Sequence, residues 1–307
     1  MLGKDLVSIG DLSPEELTEL LDLALRLKRC SSRSELAGKM LALVFQKPSL
    51  RTRVSFEVAM GQLGGRAMYL SHQEVGLGQR ESIADVARVL SRMVDGIVAR
   101  TYRHDDVVEL ARSASVPVIN GLSDDEHPCQ ILADLLTIRE HAGRLAGLKL
   151  AWVGDGNNVL SSLMIAAPRV GLNLWIATPP QYQPADGLLA RAADEAAQRG
   201  AVLEILADPK VAVRDADFVY TDTWYSMGSE GECETRRHVF RPYQVNAELL
   251  TEAGLDVRVL HCLPAHRGEE ITDEIIDGPA SIVLEQAESR VHAQKALLVR
   301  LMADRAN

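Results

Sequence analysis

Apolar positions along this chain follow two rhythms, short unbroken runs and longer stretches that repeat near every 3.6 residues. Ser13-Pro14-Glu15-Glu16 opens the first helix: Ser13 caps it, Pro14 suits the first turn and Glu16 completes a capping box. Leu17, Leu20, Leu21, Ala24 and Leu27 then recur at helical spacing. The run Met40–Phe45 predicts a buried strand and 54–63 a helix, with a polar turn between them. After that, 67–70 reads as a strand, 71–80 as a glycine-containing polar loop, 82–92 as a helix, and Gly96–Arg100 as a strand. A helix over 105–113 and a strand over 116–120 precede a turn-rich acidic loop, 121–126. His127-Pro128-Cys129-Gln130 then opens a helix to about His141.

The second half alternates in the same way. Strands are predicted at Lys149–Val153, Asn173–Ala177, 202–206, 218–220 and 257–260, with helices at 158–167, 187–198 and about 245–253. A last strand over 281–284 leads into a terminal helix over 287–302. Alternation of strand and helix implies parallel sheets covered on both faces. The expected fold class is therefore α/β, with two doubly wound parallel-sheet domains joined by interdomain helices. The glycines at 143 and 147 mark the boundary, giving domains 1–142 and 143–286. A chain of 307 residues is long enough for two such cores.

Composition narrows the function classes. Hydrophobic residues make up 47% and charged residues 25%, as in a soluble globular protein, and the formal net charge is −10. That balance argues against a general binder of nucleic acid or anionic membrane but leaves room for a local basic pocket. Cys30, Cys129, Cys233 and Cys262 form no C-x-x-C pair and are too sparse for a disulfide framework, so a reducing cytoplasm is expected. The first ten residues carry no apolar run of signal-peptide or membrane-spanning length.

Candidate chemistry sits where predicted strands end, the edge at which ligands bind in such sheets. Lys47-Pro48-Ser49-Leu50-Arg51-Thr52-Arg53 lies between a strand and a helix N-terminus, where unpaired N–H groups and the helix dipole favour an anion. Two hydroxyls and two guanidinium groups add donors suited to phosphate, and the plainer reading is a capped helix with surface arginines. Arg100 ends a strand, and His127 and Gln130 lie near one helix N-terminus. Gly154-Asp155-Gly156-Asn157-Asn158 resembles the start of a dinucleotide fingerprint, but Val159 stands where the third glycine belongs. A tight turn with Asn caps, or amides that bind a polar small molecule, fits the same residues. Asp222 also follows a strand, where it either faces a ligand or caps a turn. His261-Cys262-Leu263-Pro264-Ala265-His266 offers three metal-ligand types in six residues, with no second cluster to complete a structural site. It also offers a candidate nucleophile in Cys262, or simply a buried strand-end thiol.

Taken in order, the 47–53 stretch, His127-Pro128-x-Gln130, Asp222-x-x-x-Ser226-Met227-Gly228 and His261-Cys262-Leu263-Pro264 resemble the ornithine carbamoyltransferases over nearly the whole chain. The last two motifs separate that family from the aspartate carbamoyltransferases. The resemblance implies an N-terminal domain for carbamoyl phosphate, a C-terminal domain for ornithine, and a terminal helix, 287–307, that packs back on the first domain. It implies trimers or assemblies of trimers, no metal and no organic cofactor.

It also implies roles for named residues. Ser49, Leu50, Arg51 and Thr52 would bind the phosphate. Arg100, His127 and Thr52 would donate to the carbamoyl oxygen, Gln130 would hold the carbamoyl NH₂, Arg290 would reach back from the terminal helix, and Cys262 and Leu263 would also contact carbamoyl phosphate. Asn158, Asp222, Ser226 and Met227 would hold the amino-acid end of ornithine. Asp222 and Cys262 would orient its side-chain amine, assisted by the Leu263 carbonyl. Arg100, His127, Asp222 and Cys262 are thus the expected catalytic set. Two positions depart from the family pattern. Leu50 stands where the family usually has Thr, and Gly76 where it places a Gln that serves a neighbouring subunit; Gln73, Gln79 and Arg80 are the nearby substitutes. The expected reaction yields citrulline and phosphate. Putrescine, acylated ornithine or aspartate are the alternative acceptors, and a nucleotide-cofactor dehydrogenase or a non-catalytic carbamoyl-phosphate or amino-acid binder the alternative classes.

Overall fold

The computed structural model describes residues 4–29, 33–225 and 233–303. They pack as two compact units. One holds the chain up to Leu136 together with the chain from Glu288 onward, and the other holds Thr137–Ala287.

The first unit is built on strands β1 (Met40–Phe45), β2 (Arg66–Ser71), β3 (Gly96–Arg100) and β4 (Val118–Leu122), in the order β2-β1-β3-β4 and parallel throughout. The second is built on β5 (Lys149–Val153), β6 (Asn173–Ala177), β7 (Leu203–Leu206), β8 (Phe218–Thr221) and β9 (Arg258–His261), in the order β7-β6-β5-β8-β9, again parallel. Two doubly wound α/β sheets are thus observed. Parallel strands are covered on both faces, which is why Leu41, Ala42, Leu43, Val44 and Phe45 are all buried. The chain reverses its direction of travel between β1 and β3 in one sheet and between β5 and β8 in the other. Each reversal opens a crevice beyond the strand C-termini.

Helices settle on these sheets for reasons written in their ends and faces. Ser13 accepts from the N–H of Glu16 at 3.2 Å, and Glu16 accepts from the N–H of Ser13 at 3.2 Å, so the capping box closes. The helix Pro14–Lys28 that follows buries Leu17, Leu20, Leu21, Ala24 and Leu27. In the second unit Ala151, Val153, Val219 and Val259 form one core face with Phe240 and Ile271. On β5 and β8, Trp152 and Tyr220 pack ring against ring at 4.9 Å.

Several elements differ from expectation. No strand forms over 281–284. Ser281 makes a single bridge to Val259, and helical bonding begins at once with Gln286 N–H donating to the Ile282 carbonyl at 2.9 Å, so the terminal helix is Val283–Met302. The 71–80 loop contains a short helix, His72–Val75, whose start Ser71 and Glu74 cap reciprocally. The helix expected over 245–253 contracts to Ala247–Leu250, because Val245 pairs with Ile271 and Asn246 caps. Helices Pro209–Val213, Cys233–Phe240 and Asp273–Ile276 are additional.

Trp152 is fully buried, and its indole N–H donates to the Asp155 carbonyl at 3.1 Å, which ties the β5 core to the turn that follows. Trp152→Ala should destabilise the second unit by about 3–5 kcal/mol, seen in calorimetry as an early-melting transition.

Candidate active site

In the first unit the stretch after β1 forms one wall of a cationic pocket. Ser49 caps the helix Leu50–Gln62, accepting from the Thr52 N–H at 3.3 Å. The helix therefore starts four residues earlier than the predicted 54, and Leu50, Arg51 and Thr52 form its first turn. Leu50 turns its side chain to solvent, 74% exposed, so only its backbone faces the helix end. Thr52 is buried, and from the terminal helix Arg290 donates to its hydroxyl at 3.0 Å. The same guanidinium donates to Gln130 Oε1 at 2.6 Å, and Gln130 in turn donates to Asp134 at 2.8 Å. A single fork thus links the 47–53 turn, the 127–130 helix start and the terminal helix.

Arg100 ends β3 beside Phe45, the last residue of β1, and both it and His127 are buried. Burial pushes the His127 imidazole well below the usual histidine range, and the charges of Arg290, Arg100 and Arg51 push it the same way. Lys47, also buried, is lowered by burial first and then by Arg100, with Asp124 opposing. Three arginines therefore bear on a buried, uncharged imidazole, and this is a site that gains from an anion. Gln46 holds the exits of both strands, accepting from the Tyr102 N–H at 2.7 Å and donating to Asp106 at 3.1 Å. Cys129 points away, donating to the Asn120 carbonyl at 3.3 Å; burial pushes its thiol up to about 12 and makes it inert.

In the second unit the β5/β8 crevice collects Asn157, Asn158, Asp222 and Cys262. The Asp222 carboxylate accepts from the Asn157 amide at 2.7 Å and from the Cys262 thiol at 3.0 Å. Asn157 is held from its other end as a helix cap, accepting from Val159 and Leu160 N–H groups. Asn158, half-buried, is the first residue of that helix. The glycines of this turn answer to backbone packing. Gly154 sits at φ 142°, and a Cβ on Gly156 would run into the Tyr182 carbonyl and Pro184. That need explains the glycine pattern without a dinucleotide. Asp155 pairs with Arg236 at 3.1 Å; its carboxyl is pushed up to about 6 by burial, with Arg236 opposing and Asp222 adding to the rise.

His261, at the end of β9, is fully buried and accepts the Leu263 N–H on Nδ1 at 2.9 Å, while its Nε2 lies 3.0 Å from Glu270. Asp222, His261 and Cys262 do bring one donor atom each within 4.8 Å. Both ring nitrogens and the thiol already have protein partners, so a metal would have to displace them. Ser226 and Met227 lie outside the described residues. Two contributors escaped sequence reasoning: Asp134, one helical turn from Gln130, and Glu270, which no motif marks; Asn157 is the Asn cap that the 154–158 turn suggested.

The two titrating groups have opposite effects on stability. The unfolded imidazole of His127 takes its proton near pH 6.5 and the folded one does not, so its stabilisation is full above about 6.5 and lost as pH falls below it. Asp155 holds its proton longer when folded, so its contribution, present below the ordinary 3.8, is lost as pH rises through about 6. His127→Gln should therefore flatten the loss of thermal stability between about pH 7 and about pH 5, and Asp155→Asn should steepen it, in melting curves compared with wild type.

Comparison with known proteins agrees with this geometry. Residues 4–140 match the sequence family described as aspartate/ornithine carbamoyltransferase, carbamoyl-P binding domain, and residues 146–301 match its Asp/Orn binding domain. The ornithine carbamoyltransferase of Bacillus thuringiensis subsp. konkukian is 54% identical, covering 97% of this chain and 94% of the relative. That of Pyrococcus abyssi is 54% identical over 98% and 96%. Among solved structures, the ornithine carbamoyltransferase of Pyrococcus furiosus superposes with a TM-score of 0.96 at 53% identity, covering 98% of this chain and 97% of that one. The Thermus thermophilus structure gives 0.89 at 51% identity over 98% and 100%.

Proposed function

We propose how substrates are held in a chain that belongs to the aspartate/ornithine carbamoyltransferase family and acts as an ornithine carbamoyltransferase. It transfers the carbamoyl group of carbamoyl phosphate to the side-chain amine of ornithine, giving citrulline and phosphate. The reading assigns carbamoyl phosphate to the first unit, with its terminal helix, and ornithine to the second. The observation that carries it is the convergence of Arg51, Arg100 and Arg290 on an uncharged, buried His127.

Phosphate binds at the start of the helix Leu50–Gln62, through the N–H groups of the first turn and the Arg51 guanidinium, with Ser49 capping the same end. Leu50 contributes its N–H alone. On attack, negative charge develops on the carbamoyl oxygen, and Arg100, the Thr52 hydroxyl and a neutral His127 N–H stabilise it. Because imidazolium formation is disfavoured, His127 serves as a fixed dipole and not as a proton source. Gln130, set by Arg290 and Asp134, takes the carbamoyl NH₂.

Ornithine arrives with its side-chain amine mostly protonated, at a pKa of about 10.4 by analogy with Lys. Asp222 and Cys262 orient that amine with the Leu263 carbonyl, and Asn158, Asp222, Ser226 and Met227 hold the amino-acid end. The neutral amine attacks the carbonyl carbon; a C–N bond forms, the C–O bond to phosphate breaks, and the proton shed by the attacking nitrogen leaves on the departing phosphate. Positioning and electrostatic stabilisation supply the rate, with no covalent enzyme intermediate. The reading extends to a cytoplasmic role in arginine biosynthesis and to a homotrimer or an assembly of trimers.

A citrulline-formation assay with carbamoyl phosphate and a panel of amines tests the assignment: ornithine should be preferred over putrescine, acylated ornithine and aspartate. Arg51→Ala and Arg100→Ala should each lose about 10²–10³-fold in kcat/KM, and near-wild-type activity in either removes that residue from the site. Cys262→Ala should lower the rate and raise the ornithine KM while turnover persists. Complete loss, with a carbamoyl-cysteine trapped and seen by mass spectrometry, would establish a covalent route instead.

A further inference from the structure

The turn that carries Cys262 and Leu263 is held in an unfavourable backbone shape. Leu263 sits at φ +59°, a region that branched, bulky residues rarely occupy and that surrounding structure must enforce. The enforcing contacts converge on one buried carboxylate. Glu270 Oε1 lies 3.0 Å from His261 Nε2 and accepts the His266 N–H at 2.6 Å, so a single oxygen grips both ends of the 261–266 turn. Glu270 and His261 are both fully buried. Leu263 N–H donates to His261 Nδ1, so that nitrogen carries a lone pair and the ring proton sits on Nε2, directed at Glu270. The backbone of His261 is fixed separately, its N–H donating to Gln286 at 2.9 Å.

We infer that Glu270 is a positioning residue for the ornithine amine: acting through the Nε2–H tautomer of His261, it holds Leu263 in its left-handed conformation and so sets the Leu263 carbonyl and the Cys262 thiol. The inference rests on the reading that those two groups face the amine. Without the carboxylate, His261 is free to flip or change tautomer, the Leu263 N–H loses its acceptor, and Leu263 relaxes toward ordinary φ values. The Cys262 thiol then leaves its 3.0 Å contact with Asp222. Carbamoyl phosphate, whose implied contacts include Cys262 and Leu263, is held less firmly as well.

Steady-state kinetics on Glu270→Ala should show the ornithine KM raised about tenfold or more, with a smaller rise in the carbamoyl phosphate KM. Glu270→Gln, which keeps an oxygen for both N–H donors, should recover most of the ornithine KM. A merely structural role would lower the melting temperature and the active fraction of Glu270→Ala while leaving both KM values alone, and that result overturns the inference. Neutron diffraction from the wild-type protein decides it independently of any variant that fails to fold. Deuterium on His261 Nε2 is expected, and deuterium on Nδ1 instead would overturn the inference. Failure of the amine subsite itself shows separately, as a Cys262→Ala variant with unchanged ornithine KM.

Discussion

A strand that runs parallel to its neighbours sends every chain exit to the same edge of the sheet, and the function of this protein depends on that constraint. At the β1/β3 reversal the exits carry the 47–53 turn and Arg100; at the β5/β8 reversal they carry the 154–158 turn and Asp222. Neither crevice needs a dedicated scaffold. The same hydrogen-bond ladders that stabilise the sheets hold the first residues beyond them, and side chains such as Gln46 and Trp152 extend that rigidity by one more turn. The stability of the sheets and the accuracy of the sites therefore have the same origin.

The charge distribution is the second constraint. The chain carries a net charge of −10, yet it buries Lys47, Arg100 and Arg290 in one small region of the first unit. Removing cations from water is costly unless dipoles or counter-charges replace the solvent. Neutral acceptors meet part of that need: Thr52 and Gln130 take both arms of the Arg290 fork. Asp134 stands behind Gln130 and accepts from its amide, which orients that side chain. Burial first, and then the charges of Arg290, Arg100 and Arg51, keep His127 uncharged. An anionic substrate enters a pocket whose desolvation has already been met by folding, which is the condition for strong electrostatic preorganisation.

Sequence reasoning reached those features that depend on local chemistry. The capping box at Ser13 and Glu16, the strands flanked by turn residues, and the basic turn after β1 each declare themselves within a few positions. It misread the apolar 281–284 segment, because three adjacent apolar residues fit a strand and the first turn of a buried helix equally well. Cys233–Phe240 went unpredicted since its one buried side chain, Phe240, leaves no periodic stripe. The bond from Asn157 to Asp222, 65 residues away, and the contact of Glu270 with His261, 9 residues away, were invisible for another reason: nothing in the spacing reports a contact made only by the fold.

The two positions that depart from the family pattern can be weighed on the same physical grounds. Leu50 occupies the first turn of a helix whose N-terminal N–H groups are set by backbone geometry and by the Ser49 cap, and its side chain projects into solvent. A backbone donor does not depend on the side chain that carries it, so Leu supplies what Thr would supply, less one hydroxyl. Gly76 is different. It closes the His72–Val75 helix at φ 56°, and a Cβ there would come within 2.8 Å of the Arg80 Cβ. A glutamine at 76 would have to break this turn. Gln73, Gln79 and Arg80 are all exposed on the same loop. A glutamine introduced at position 76 would remove the turn before its side chain could reach anything beyond it.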